Sequence, residues 1–183
     1  MTTYQQAIKK RCEQYAKDHP LVRFIGYNTL FGSRMYGTLV DIPAEQCIEA
    51  PVAENLMSGI AMGLALEGYR PVLCFERHDF ILLALDALVN QMDKMPYMSG
   101  DQFKWPIIIR AIVGSRNPID PGPMHRQDYT VALKTMLKHT PVRVFQTVTG
   151  LDAAWNEVGK TGSGAVVIVE YKDDYPLPIN DKY

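Results

Sequence analysis

Two segments constrain the fold more than any others: Pro106–Val113 (PIIIRAIV) and Ala165–Tyr171 (AVVIVEY). Each is an apolar run with almost no polar alternation. A strand with one wet face alternates, whereas a near-continuous apolar run belongs to a sheet covered on both faces. Shorter strand-like runs stand at Leu21–Ile25, Arg70–Glu76 (RPVLCFE) and Val142–Gln146, with Cys47-Ile48 as a further short strand. Helical patterns fall between them. Thr3–Asp18 is amphipathic, with Tyr4, Ile8, Cys12 and Tyr15 on one side, and His19-Pro20 ends it. Pro51–Gly68, Asp79–Met95 (Asp79 as N-cap), Gln127–Leu137 and Leu151–Gly159 follow. Repeated strand–helix units predict an α/β fold: a doubly wound, mostly parallel sheet with helices on both faces. A chain of 183 residues is enough for one well-cored domain. The predicted layout is an N-terminal helix over 3–18, a core over 21–171 and an extended tail over 172–183.

Charge and cysteines exclude several function classes. Net charge is −1, and Lys9-Lys10-Arg11 is the one basic run, on a polar helix face, so no nucleic-acid surface is expected. Cys12, Cys47 and Cys74 are an odd count with no CxxC pair, which argues for reduced cysteines and a cytoplasmic setting. The polar Thr2–Asp18 segment does not read as a signal peptide, and the uncharged stretch between Glu54 and Glu67 is too short to span a bilayer. No membrane role is expected. The sequence contains no G-x-x-x-x-G-K-[ST] loop, no G-x-G-x-x-G after a strand, no G-x-S-x-G elbow and no cluster with metal-ligand spacing. A doubly wound domain without its own phosphate loop binds a ligand unusually or shares a site with another chain.

Three places carry candidate chemistry, each following a strand, where open α/β sheets build their sites. Glu54 is a lone carboxylate at the start of the nearly uncharged Pro51–Gly68 helix, which reads as apolar on all sides and therefore buried. Taken alone it also reads as a charge decorating a helix start. Glu76-Arg77-His78-Asp79-Phe80 follows the Arg70–Glu76 strand. The loop Gly114–Asp128, containing three prolines and His125, follows Pro106–Val113. Long ordered loops in compact domains are often functional. By themselves, Phe80 reads equally as a core aromatic, His125 as a loop histidine, and Arg110 as a loop-orienting group or a strand-end cation. Gly59 and Gly63 read as places where a helix of another subunit approaches, and Asp86 and Asn90 as polar groups sharing a helix face.

In order, the sequence contains Ala50-Pro51-Val52-Ala53-Glu54, Gly59-Ile60-Ala61-Met62-Gly63-Leu64-Ala65, Gly68-Tyr69-Arg70-Pro71, Phe80 and Ala84-Leu85-Asp86-Ala87-Leu88-Val89-Asn90. Then come Met98-Ser99-Gly100, Pro106-Ile107-Ile108-Ile109-Arg110 and Gly122-Pro123-Met124-His125-Arg126-Gln127. This series resembles the pyrimidine-binding domain of thiamine-diphosphate enzymes, closest to the beta subunits of 2-oxo acid dehydrogenase E1 components and to transketolase. The likeness runs from about Leu21 to Tyr171 and is dense between Ala50 and Asp128.

The resemblance implies thiamine diphosphate as cofactor, and it implies roles. Glu54 would bond the pyrimidine N1′ as a carboxyl in a dry site, which activates the cofactor's own amine. Phe80 would stack on the flat pyrimidine. His125 would face the substrate and handle a proton or a carboxylate. Arg77 would lie at the cofactor, and with Glu76 and His78 it replaces the more neutral residues usual in E1 beta subunits, which suggests an anionic or sugar-like substrate. Tyr27-Asn28 stands where the family has an acidic residue. The family's further C-terminal domain and its "GDG…N" diphosphate motif are not found here. Mg2+ and diphosphate ligands are therefore expected from a separate, E1 alpha-like subunit, in an assembly of two chains of each type. The implied reaction makes or breaks a carbon–carbon bond next to a carbonyl, on a 2-oxo acid or a ketose. Two alternatives stand beside it: a regulatory or scaffold subunit that keeps only the fold, and an unrelated nucleotide-binding α/β domain.

Overall fold

A computed structural model describes residues 1–180. Six strands form one sheet in which every pair is parallel: β1 (Val22–Gly26), β2 (Cys47–Glu49), β3 (Arg70–Phe75), β4 (Ile108–Val113), β5 (Val142–Val144) and β6 (Val166–Tyr171), in the order β2-β1-β3-β4-β6-β5. The helices are α1 (Tyr4–Asp18), α2 (Glu54–Leu66), α3 (Met95–Met98), α4 (Thr130–Met136) and α5 (Val148–Asn156). The α/β expectation holds, and the long apolar runs are the central strands. All six residues of β4 are buried.

The two faces of the sheet collect separate cores. Phe24, Val72, Cys74, Ile108, Ile112 and Val166 point toward α1 and α5. Ile25, Leu73, Phe75, Ile109, Ala111 and Val167 point toward α2, the 78–92 segment and α4. The chain leaves β1 outward to β2 and returns to β3 on β1's other side. That reversal opens a crevice at the carboxyl ends of β1 and β3, where ligands of open α/β sheets bind.

Several expectations need correction. The predicted helix over Asp79–Met95 is not an α-helix: a 3-10 helix covers His78–Ala84 and a π-helix Asp86–Met92. Asp79 caps nothing, because its Oδ1 accepts the Gln127 amide at 3.1 Å. Contacts with a distant loop have overridden local preference here. Helix α2 is covered on one face only: Met57, Ser58, Ala61, Met62 and Ala65 are buried, while Leu56, Gly59, Gly63 and Leu66 are exposed. A Cβ added at Gly59 or Gly63 would meet nothing within 4 Å. The tail is packed rather than merely extended. Lys172–Asp174 form a 3-10 turn, Tyr175 and Ile179 enter the α1-side core, and Tyr4 and Gln5 donate their amides to Leu177 and Tyr175. Residues 181–183 of the predicted tail lie outside the described residues. Arg110 is no strand-end cation: it sits inside β4, fully buried, and Glu170 accepts from its Nε at 2.6 Å and its Nη2 at 2.9 Å.

Candidate functional site

Glu54 begins α2 just beyond the end of β2 and is 3% exposed. Its Oε1 is buried with no hydrogen-bond partner. An acceptor left so costs about 1–3 kcal/mol, and such an atom inside a native fold calls for an explanation. Helix α2 itself packs on the 78–84 segment through the core shared by Met57, Ala61, Ile81 and Ala84. Tyr27, the residue that follows β1, packs against that same core. Burial pushes its phenol well up, and the carboxylates of Glu54 and Glu76 add to the effect.

The loop after β1 is organised by carboxylates from other strands. Glu49, at the end of β2, accepts the amides of Asn28 (2.6 Å), Thr29 (3.0 Å), Leu30 (2.7 Å) and Phe31 (3.3 Å). Burial pushes the Glu49 carboxyl up, but these amides outweigh it and hold it below the ordinary range. Glu76 accepts from Asn28 Nδ2 at 2.6 Å and from the Ser33 hydroxyl. Two carboxylates, at the ends of β2 and β3, thus hold the loop that begins at Tyr27-Asn28.

Three successive residues after β3 hold the long loop after β4, in antiparallel order. His78 Nδ1 accepts the Tyr129 amide at 3.3 Å, Asp79 Oδ1 accepts the Gln127 amide, and the Phe80 ring meets His125 edge-on, centroids 5.5 Å apart. Gly114 makes room for the loop, since a Cβ there would lie 1.9 Å from the His125 carbonyl oxygen. His125 is left half-buried, with Nδ1 free of partners. The structure therefore pairs Phe80 with His125 and places Glu54 on the neighbouring helix, joined to them by no direct bond. Arg77 turns its guanidinium toward the Tyr36 ring, 5.2 Å from the centroid.

His78 is fully buried, and burial holds its imidazole below the ordinary range, with Asp128 and Asp79 pulling the other way. Its neutral Nδ1 is the acceptor for Tyr129, so protonation would set a donor against a donor. The native chain then binds fewer protons than the unfolded chain once pH drops below about 6.5. The stability His78 contributes is whole above that pH and is lost as pH falls through the folded value, at up to about 1.4 kcal/mol per pH unit. We expect the thermal unfolding midpoint to fall more between pH 7 and pH 5 in the native chain than in His78→Gln. Parallel pH profiles would refute this.

Sequence reading passed over Glu49, Tyr36 and Lys172 as site neighbours. Glu49 and Lys172 could have been found as charged residues at or just past strand ends; no sequence signal points to Tyr36, whose ring contacts Arg77, Lys172 and Tyr175, all distant in the chain. A cavity of about 610 Å³ lies elsewhere, near the start of β1, lined by Lys9, Glu13, Pro20, Arg23 and Asp41 among others. None of the predicted site residues lines it. Among the described residues, no group of three His, Cys, Asp or Glu side chains is placed to hold a metal ion, and no helix is long and apolar enough to cross a membrane.

Residues 1–176 match the family described as "Transketolase, pyrimidine binding domain". The chain is 35% identical to the pyruvate dehydrogenase E1 component subunit beta of Rickettsia conorii over 94 residues, 51% of this chain and 28% of that protein. It is 30% identical to the corresponding subunit of Rhizobium meliloti over 118 residues, 64% of this chain and 24% of that protein. Among solved structures, a split gene transketolase described as an inactive beta4 tetramer superposes with a TM-score of 0.70 at 18% identity, covering 93% of this chain and 52% of that one. Transketolase from Leishmania mexicana gives 0.69 at 19% identity, covering 92% and 25%. These two likenesses show the fold. The chain spans about a quarter of the length of the curated relatives it matches. The parallel sheet with its crevice, the buried unpartnered carboxylate and a family match over nearly the whole sequence lead to one conclusion: this chain belongs to the transketolase pyrimidine-binding domain family of thiamine-diphosphate-dependent enzymes.

Proposed function

We propose that this chain is the pyrimidine-binding half of a split thiamine-diphosphate enzyme that makes or breaks a carbon–carbon bond next to a carbonyl, on a 2-oxo acid or a ketose. The observation that carries the reading is Glu54 Oε1, a buried acceptor without a partner on the first turn of α2. A ring that brings a polar nitrogen and an apolar face fits what is present: Glu54 supplies the acceptor and half-buried Phe80 the stacking surface. Bound there, thiamine diphosphate would supply a nucleophilic carbon for a substrate carbonyl. The chain's own residues bind, orient and shield. Glu54 holds the pyrimidine through its carboxyl, Phe80 stacks on it, and Arg77 borders it. His125, fixed by its contact with Phe80 and by the His78 and Asp79 anchors on its loop, moves or holds a proton at the substrate.

Diphosphate and Mg2+ are assigned to a second, E1 alpha-like subunit. The uncovered strip of α2, with Leu56, Gly59, Gly63 and Leu66, supports an assembly of two chains of each type by offering small and apolar residues for close packing. The three free, buried cysteines agree with a cytoplasmic setting. The experiment is reconstitution with a diphosphate-binding subunit, scored for thiamine diphosphate binding and for turnover of 2-oxo acids and ketoses. Failure of every such pairing to bind the cofactor would leave the fold without this function, as a scaffold subunit.

A further inference from the structure

A titrating side chain is used here to hold a loop. His78 is 0% exposed. Its Nδ1 accepts the Tyr129 amide at 3.3 Å, and its Nε2 is buried with no hydrogen-bond partner. Beside it, Asp79 accepts the Gln127 amide and leaves its own Oδ2 buried without a partner. Buried polar atoms left so cost free energy and call for an explanation. A glutamine could accept a backbone amide at every pH, whereas an imidazole does so only until it takes a proton.

The loop Gly114–Asp128 is exposed from Arg116 to Pro121 and again at Pro123 and Met124. Its first end is fastened by the hydrogen bond of Ser115 with Asp173. Its second end is fastened at three successive residues: Gln127 by Asp79, Asp128 by the Tyr171 hydroxyl at 2.7 Å, and Tyr129 by His78. His125 stands two residues ahead of these anchors, against the Phe80 ring. The charged and titratable groups that face His78 are few. Asp79 is its chain neighbour, Asp128 Oδ1 lies 3.7 Å from Nδ1 on the loop side, and Tyr171 reaches Asp128 from β6. Burial lowers the imidazole, with Asp128, Asp79 and the Gln127 backbone pulling the other way. Burial pushes the Asp128 carboxyl up, but its hydrogen bonds with Thr130 and Tyr171 outweigh this and hold it below the ordinary range. Burial pushes the Tyr171 phenol up. Neither of these two groups changes charge between about pH 5 and pH 7; an imidazole does.

We propose that His78 is an acid-sensitive latch on the loop that carries His125: neutral, it fastens the loop through the Tyr129 amide, and protonated, it releases that end. Protonation sets a donor at Nδ1 against the Tyr129 N–H and a second donor at Nε2 with no acceptor, whereas an open loop gives the imidazolium water. The closed loop is fully favoured above about pH 6.5 and loses ground as pH falls toward the folded value. Each pH unit in that window multiplies the open population by up to about ten. The latch does not rest on the reading given under Proposed function; where that reading holds, release withdraws His125 from the substrate.

The test is amide hydrogen exchange of the full chain, followed by NMR between about pH 7 and pH 5 and expressed as protection, which removes the intrinsic pH dependence of exchange. The Gln127 and Tyr129 amides should lose up to about tenfold in protection per pH unit below about 6.5. His78→Gln should show no such loss, because its side-chain carbonyl accepts the same amide without titrating. The β4 amides should stay at least about tenfold better protected than Tyr129 throughout, which marks release of the loop rather than unfolding of the chain. Should His78→Gln fail to fold, the His78 imidazole resonance of the native chain decides: protection at Tyr129 should stop falling where that imidazole titrates. The proposal is overturned by protection that is flat with pH or that falls equally in His78→Gln. It is overturned equally by Tyr129 protection no lower than that of β4, or by an imidazole that titrates with no prior loss of protection.

Discussion

On the proposed function, replacing Glu54 with Gln is expected to remove about two to four orders of magnitude of turnover from the reconstituted assembly, and to do so without loosening the chain. A carboxylate kept for structure would be paired; this one has a buried oxygen with nothing to bond. Its removal takes no hydrogen bond from that oxygen. The unfolding midpoint of Glu54→Gln is expected to equal or exceed that of the native chain, and that of Glu54→Leu to exceed it. Lost activity with gained stability is the pattern of a residue held in an unfavourable place for function. Turnover and thermal unfolding on the same variants check it. A clear drop in stability for both would make Glu54 a structural residue.

Arg110→Met is expected to cost about 3–5 kcal/mol of stability, the largest effect of any single change considered. The guanidinium is 0% exposed and forms two hydrogen bonds to Glu170, itself 1% exposed, plus one to Thr38 Oγ1 at 3.0 Å. Glu170 also accepts from the Tyr175 hydroxyl at 2.5 Å, and Cys12 Sγ lies 3.4 Å from Arg110 Nη1. One buried pair thus ties together α1, the loop after β1, β4, β6 and the tail. Truncating one partner strands the other's charge; removing both, in Arg110→Met with Glu170→Leu, should recover most of the loss. Urea titration measures both. A single-variant cost below about 1 kcal/mol would mean the pair is not isolated from water as described.

The parts of the fold that were legible in the sequence are those fixed by local pattern. Ile108–Val113 and Val166–Tyr171 read as strands covered on both faces because they are short apolar runs rich in β-branched residues. Thr3 capped its helix as a helix start should, with Gln6 completing the capping box. Reading failed where distant groups took over local ones. Asp79 looks like a cap but is spent on Gln127, and Arg110 looks like a loop-orienting group or a strand-end cation but is neutralised by a residue 60 positions away. The site divides the same way. Glu54, Phe80 and His125 were visible because an ordered series of motifs carries them. Tyr36 was not, because the cations that use its ring come from two other strand ends.

The central claim is that Glu54 is half of a cofactor site completed by another chain. Calorimetric binding of thiamine diphosphate with Mg2+, to this chain alone and mixed with a diphosphate-binding subunit, tests it most directly. The account predicts tight binding in the mixture, little or none by the chain alone, and marked weakening of the mixture's binding by Glu54→Gln. Binding in the mixture that is indifferent to Glu54→Gln would contradict it.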